Sequence, residues 1–139
     1  MLSKNIQIVD RLKKEIEDYV VDWHWDNESK KYAFDLGKFL FSFIAYIDDS
    51  NLSERVKRVH KDNVYLIGMF ESGYGNNAEF HHEDLTDGPS YVWEFERKVS
   101  DSKYAVQTYE STWKKLDRFI KSGVYEMYVN KIEKELKNN

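Results

Sequence analysis

A regular apolar stripe between residues 92 and 120 constrains the fold more than any other feature of the sequence. Nine positions in it are separated by alternating steps of three and four residues, and they are Val92, Phe95, Val99, Ser102, Val106, Tyr109, Trp113, Leu116 and Ile120. Steps that average about 3.5 residues place these side chains on one face of an α-helix, the face that packs against other helices. The spacing therefore predicts a long helix over 91–121.

Four further segments carry apolar residues at helical spacing. They are residues 3–22, 30–48, 52–70 and 124–137. Because a helix with one apolar face must bury it against another element, the pattern predicts an all-α protein of about five helices. We expect an irregular bundle around the helix near 91–121, formed by a single domain over 1–139.

Two short stretches leave a second architecture open. Residues 63–70 form a brief apolar run, and residues 91–99 alternate aromatic side chains with other residues. Short runs of this kind fit a buried strand as well as a helix. If a new helix begins at Ser100, the two stretches can pair as a small hairpin, which makes α+β the alternative fold class.

The composition limits the classes of function. The 139 residues include 25 acidic and 21 basic side chains, which gives a formal net charge of −4, and they include no cysteine. An acidic balance weakens general nucleic-acid binding, and the lack of cysteine excludes thiolate metal sites within this sequence. The longest apolar run, Phe39–Ile47, is too short to span a bilayer. We therefore expect a cytoplasmic protein that does not interact with membranes.

Residues 71–90 are the one long segment without a helical pattern. They hold three of the six glycines, the only proline, five acidic residues and no lysine or arginine. Long ordered loops often carry function, and aromatic side chains are favoured at protein interfaces. The predicted partner-binding residues are Tyr74, Phe80, His81, His82, Glu83 and Asp84. The sequence thus predicts a small protein-binding module of immunity, antitoxin or phage-inhibitor type, whose acidic loop covers a basic partner.

The same loop contains side chains that can coordinate a metal ion. The candidates are His81, His82 and Glu83, flanked by Glu79 and Asp84. Imidazole and carboxylate groups suit Zn²⁺ or Mn²⁺, but adjacent loop residues rarely converge on one ion without a scaffold. We therefore predict no bound metal and no cofactor.

An arginine precedes a histidine by five residues in the segment 52–70. The pair, Arg55 and His60, resembles the R-x4-H motif of HEPN-type ribonucleases, which are small all-α domains. The resemblance implies that the two residues face each other across a dimer and act on the ribose 2′-hydroxyl. The chain departs from the usual motif at Val56, where the family commonly has a polar residue. A HEPN-like ribonuclease is one alternative function.

A cluster of cations surrounds this motif. It consists of Arg55, Lys57, Arg58 and Lys61, all within two turns of the predicted helix. Lysine and arginine side chains are the main contacts to nucleic-acid phosphates. A nucleic-acid accessory protein that uses this basic helix is therefore the second alternative function.

Overall fold

The computed structural model describes the backbone of residues 2–75 and 78–137, and side chains from residue 11 onward within these ranges. This part of the chain contains six α-helices and no strand, which confirms the all-α fold class. The helices are α1 (Leu2–Tyr19), α2 (Asn27–Asp48), α3 (Glu54–Tyr74), α4 (Val92–Lys98), α5 (Lys103–Lys121) and α6 (Tyr125–Lys137). Two 3-10 turns, Val21–Trp23 and His82–Leu85, lie in the connections.

Helix α2 packs against four other helices of the bundle: α1, α3, α5 and α6. Its start is fixed by a capping box, in which the Asp26 carboxylate accepts the Ser29 N–H at 2.8 Å and the Ser29 hydroxyl accepts the Asp26 N–H at 3.0 Å. Such reciprocal bonds satisfy backbone donors that have no partner within the helix. The cap therefore fixes the first turn of α2.

The continuous helix predicted over 91–121 is wrong, because the segment forms two helices. Helix α4 ends at Lys98, and Ser102 begins α5 by accepting the Ala105 N–H on its hydroxyl at 3.2 Å. A serine side chain competes for backbone donors and so favours a helix start over a helix interior. The apolar stripe is interrupted at the same place, since Val99 is 46% exposed.

The two halves of this stripe still meet in the core. The Phe95 ring of α4 stacks on the Tyr109 ring of α5 with centroids 4.4 Å apart. Both side chains are buried, and Trp113 and Leu116 follow on the same face of α5 with no exposure. Phe95 is the buried residue of α4, and Val92 also packs against the core, so the other side chains of this short helix lie outside it.

The hairpin alternative is also wrong. Residues 63–70 lie within α3, and residues 92–98 form α4. Their apolar side chains therefore serve helix packing rather than strand pairing. Over the ranges that the structure describes, no helix combines the length and the apolar character needed to cross a bilayer.

Candidate functional site

The segment 71–90, predicted to be one long loop, is partly regular structure. Its first four residues complete α3, and His82–Leu85 forms a 3-10 turn. Leu85 is completely buried in the main core cluster. The segment therefore lies against the bundle instead of extending away from it.

Two of the predicted partner-binding residues hold this segment in place. The His82 ring stacks on Phe39 at a centroid distance of 5.6 Å and lies 4.6 Å from the Tyr125 ring. The Phe80 ring lies 5.8 Å from Phe39 and 6.2 Å from Tyr32. Since these contacts occupy the rings, His82 and Phe80 attach the segment to α2 and are poorly placed to contact a partner.

The other predicted partner-binding residues lie at the surface. Tyr74, His81, Glu83 and Asp84 are all exposed, and Tyr74 keeps 42% of its surface in solvent. They therefore meet the first requirement of a contact surface, which is accessibility.

The structure does not assemble the candidate metal ligands. His82 Nε2 lies 3.6 Å from Glu83 Oε1, which is the separation of an ion pair. Among the described residues there is no group of three or more histidine, cysteine or carboxylate side chains arranged to hold a metal ion. His81, His82 and Glu83 are thus not brought together as a metal centre.

His60, the candidate catalytic histidine, lies in the core with 5% exposure. Its Nδ1 is 2.8 Å from the Thr112 hydroxyl, which also accepts from Asn63 Nδ2 at 3.1 Å and donates to the Thr108 carbonyl at 3.0 Å. Because that hydroxyl has a single proton, we infer that Nδ1 of His60 carries the hydrogen. Burial, and to a lesser degree the charge of Lys115, lowers the pKa of His60. The geometry is that of a structural, neutral histidine.

Arg55 lies apart from His60. The arginine is exposed at the first turn of α3, whereas the histidine faces α5. Residues five positions apart on a helix point in directions that differ by about 140°. A ring with 5% exposure is also not available to a second copy across a dimer. The structure does not bring these two residues into one ribonuclease site.

The basic helix is partly engaged within the protein itself. Lys57 Nζ donates to the Asp48 carbonyl at 2.8 Å, and Lys61 Nζ pairs with Asp48 Oδ1 at 2.9 Å. Arg55 and Arg58 are exposed. Two of the four predicted phosphate-binding cations thus bind Asp48, the last residue of α2.

Helix α4 presents side chains that the sequence patterns did not single out as functional. Trp93 is 64% exposed, and the Arg97 guanidinium lies 4.4 Å from the centre of its ring. On the neighbouring face, Lys98 Nζ lies 5.0 Å from the centre of the Tyr74 ring. The signal in the sequence was the position of Trp93 off the stripe formed by residues 92, 95 and 99.

Charge is concentrated around these aromatic side chains. Residues 71–101 contain eight acidic and two basic side chains, a formal charge of −6 within a chain of −4. Seven of the eight carboxylates belong to residues that are at least partly exposed. We call this stretch the acidic segment, because carboxylates outnumber cations along it.

The eighth carboxylate, Glu71, is buried with 4% exposure. Burial raises the pKa of Glu71, a hydrogen bond from the Tyr91 hydroxyl opposes the rise, and the charge of Asp84 adds to it. Tyr91 itself has φ +63°, a left-handed conformation that is unfavourable for a bulky side chain. The acidic segment thus includes a buried carboxyl group beneath a strained residue.

Glu71→Gln is expected to raise the free energy of unfolding at pH 7. The amide keeps an acceptor for Tyr91 and removes the charge that burial disfavours. The pKa of Glu71 is higher in the folded protein than in the unfolded chain. Wild type therefore becomes as stable as the variant when the pH falls and the Glu71 carboxyl group is protonated. Urea unfolding at pH 7 and near pH 4.5 measures the difference. If Glu71→Gln is still more stable than wild type by the same amount near pH 4.5, the buried charge of Glu71 is not the cause. An equal gain from the exposed control Glu83→Gln leads to the same conclusion.

Comparison of the chain with protein-family models, with curated proteins and with solved structures finds no match. The site therefore has to be interpreted from its own geometry. The structure defines an all-α bundle with an acidic, aromatic surface along residues 71–101 and a neutral histidine in the core.

Proposed function

We propose that this chain is a non-catalytic binding protein that contacts another protein through the exposed part of the acidic segment. The observation that carries the proposal is the pair of exposed aromatic rings, Trp93 and Tyr74, each with a cation beside it. Tryptophan, tyrosine and arginine are the residues most often found at the energetic centre of protein interfaces.

The geometry of α4 supports this role. Only Phe95 of its seven residues is buried, so the helix offers contact area that the fold does not use. Cation–π contacts hold the Trp93 and Tyr74 side chains in defined orientations before a partner arrives. Ordered side chains lose less entropy on binding, which favours affinity.

The charge of the segment favours a basic partner. The seven carboxylates of the segment that are at least partly exposed exceed its two cations by five, so the segment attracts a positively charged protein surface, accelerates encounter and disfavours nucleic acid. Occlusion of a basic surface is the action expected of an immunity protein, an antitoxin or a phage inhibitor, and we propose that class of role in the cytoplasm. Small size and an acidic balance of charge support this class of role.

The proposal predicts that Tyr74→Ala, Trp93→Ala and Glu83→Lys together weaken partner binding by at least about 100-fold. Two aromatic anchors and one reversed charge account for a loss of this order. The partner is first isolated by crosslinking from the source cells and identified, and the purified pair is then titrated by calorimetry at two salt concentrations. Phe80 is left unchanged because its ring packs on α2.

A matched control changes the same residue types elsewhere on the surface. Tyr104→Ala, Trp25→Ala and Glu15→Lys replace an exposed residue outside the acidic segment in each case. The control is expected to keep at least a tenth of the wild-type affinity. If the control loses as much affinity as the test variant, or if the test variant binds like wild type, the surface is not the contact site. Preference for RNA over the isolated protein also refutes the proposal.

A further inference from the structure

A buried hydrogen bond joins the end of α3 to the start of α4. The connection between these helices begins at Gly75 and ends at Tyr91, and we call it the α3–α4 loop. The Tyr91 hydroxyl donates to the carboxylate of Glu71, which lies in the last turn of α3 with 4% exposure. The carboxylate also lies close to Gly75, since a Cβ there would be 3.4 Å from Glu71 Oε1. The bond therefore closes the α3–α4 loop at its base.

The Tyr91 ring connects the core to the proposed contact surface. Its centroid lies 6.1 Å from that of Phe70 and 6.0 Å from that of Tyr74, and the Phe70 and Tyr74 centroids are also 6.0 Å apart. Phe70 is buried, whereas Tyr74 is one of the two exposed rings that carry the proposed function. Because Tyr91 packs against both, its position determines where the Tyr74 ring can lie.

Tyr91 also determines where α4 begins. It is the residue directly before the helix, and its carbonyl accepts the Phe95 N–H at 2.9 Å. Trp93, the second exposed ring, stands in the first turn that this bond closes. At the other end of α4, Lys98 lies over the Tyr74 ring. The two exposed rings thus belong to different helices, and Tyr91 supports both of them.

The surroundings of Glu71 do not balance its charge. The titratable groups that face it are Tyr91 at the start of α4, Asp84 in the 3-10 turn and Tyr109 of α5, while Tyr32 of α2 faces Tyr91. Among the residues that the structure describes, no lysine or arginine pairs with this carboxylate. A buried carboxylate without a cation is unfavourable, and the left-handed backbone of Tyr91 is unfavourable as well. The closed loop therefore holds two costly features in contact with each other.

The cost at Glu71 depends on pH. Burial raises the pKa of Glu71, so the closed loop holds the proton more tightly than an open loop in which the carboxyl group meets water. The closed form is most stable below the ordinary pKa of 4.5 and loses stability as the pH rises through the raised pKa. Ionisation of Glu71 therefore favours opening of the loop.

We propose that the hydrogen bond between Tyr91 and Glu71 is a clasp that closes the α3–α4 loop and positions Tyr74 and Trp93 for the partner. When the clasp opens, Tyr91 leaves its left-handed conformation, and Tyr74 and the first turn of α4 lose their common support. The contact surface is therefore better ordered in mildly acidic than in neutral solution. The inference rests on the proposed function in one respect, the choice of Tyr74 and Trp93 as contact residues.

The test measures opening of the loop in the full chain without a partner. Amide hydrogen exchange is followed at pH 7 and pH 4.5 and corrected for the intrinsic effect of pH on exchange. The reporters are the N–H groups of Gly75 and Phe95, which donate to the carbonyls of Glu71 and Tyr91, each at 2.9 Å. Both bonds join backbone groups that do not titrate, so a change in exchange reports opening on either side of the clasp.

Tyr91→Phe is expected to accelerate exchange of both reporters about tenfold at pH 7, because a buried carboxylate loses its donor. At pH 4.5 the expected factor is only about threefold, since a hydrogen bond to a neutral carboxyl group is about half as strong. Glu71→Gln is expected to slow exchange at pH 7 to the rate of wild type at pH 4.5. The nuclear Overhauser effect between the Tyr74 ring and the Lys98 side chain is expected to weaken in Tyr91→Phe at pH 7.

Tyr128→Phe is the matched control, because the Tyr128 hydroxyl also donates to a carboxylate, Asp49 Oδ2 at 2.9 Å, but does so between α6 and the end of α2. It is expected to leave exchange of both reporters within about twofold of wild type. The clasp is refuted if Tyr128→Phe acts like Tyr91→Phe, if the Tyr91→Phe effect is equal at the two pH values, or if Glu71→Gln does not slow exchange at pH 7. Circular dichroism verifies that each variant is folded.

The clasp and the proposed function can fail separately. If exchange does not depend on Tyr91 while partner binding still requires Tyr74 and Trp93, the clasp is removed and the proposed function stands. If exchange behaves as expected while partner binding does not require these two rings, the proposed contact surface is removed and the clasp stands.

Discussion

Replacement of Trp113 by alanine is expected to lower the free energy of unfolding by about 3–5 kcal/mol. The side chain is completely buried in the main core cluster, so its removal leaves a cavity that neighbouring rings cannot fill. Leu85, which attaches the His82–Leu85 turn to the bundle, belongs to the same cluster. A domain of this size is stable by only about 5–15 kcal/mol, so the loss is a large fraction of its total stability. Because Leu85 shares the weakened core cluster, we expect the acidic segment to lose its order early in unfolding.

Urea unfolding followed by far-ultraviolet circular dichroism measures this loss, because the signal does not depend on the tryptophan that was removed. Trp93→Ala is the matched control, since the same substitution at a side chain with 64% exposure is expected to cost about 0.5 kcal/mol or less. A Trp113→Ala variant within about 1 kcal/mol of wild type shows that the ring is not a core residue.

The helical fold could be predicted because apolar spacing is a local property. The sequence indicated a helix start at Ser100 as an alternative, two residues before the observed cap Ser102. Spacing alone could not decide between that start and a continuous helix, since Val99 and Ser102 both fit the helical spacing of residues 92–120. Whether Ser102 continues a helix or caps a new one depends on what Phe95 and Tyr109 pack against, and that contact is tertiary. The spacing therefore predicted helical structure but not the residue at which one helix ends and the next begins.

The polar residues on the buried face of α3 were harder to recognise. His60, Val64, Ile67 and Glu71 are spaced by four, three and four residues, so they form one helical stripe with two polar members. A search for apolar residues alone skips the polar members. The partners that make their burial tolerable, such as Thr112 for His60, lie 52 positions away in the sequence.

The proposed contact surface could be predicted from the sequence only in part. Composition pointed to residues 71–90 as a segment of unusual character, but it could not separate side chains that anchor the segment from those that face solvent. His82 and Phe80 are anchors because Phe39 of α2 lies beneath them. Trp93 lies just beyond the predicted range and is exposed. Exposure of an aromatic ring depends on neighbours that no local pattern specifies.

Gly68→Ala is expected to destabilise the protein by about 1–2 kcal/mol, although alanine is the better helix former. A Cβ at this position of α3 would lie 2.6 Å from Cζ2 of the Trp23 ring, well inside the contact distance of two carbon atoms. The ring cannot move aside freely, since it packs against Tyr19 and Tyr65 with centroids 5.3 and 5.5 Å away. Overpacking of this kind typically costs about 1–3 kcal/mol, which outweighs the roughly 1 kcal/mol gained in helix propensity.

Gly73→Ala separates the steric effect from the propensity effect, because both glycines lie in α3 and a Cβ at Gly73 meets nothing within 4 Å. This second variant is expected to gain about 0.5 kcal/mol in stability, so the two substitutions should differ in sign in urea unfolding. A gain from both would show that Trp23 does not press on α3.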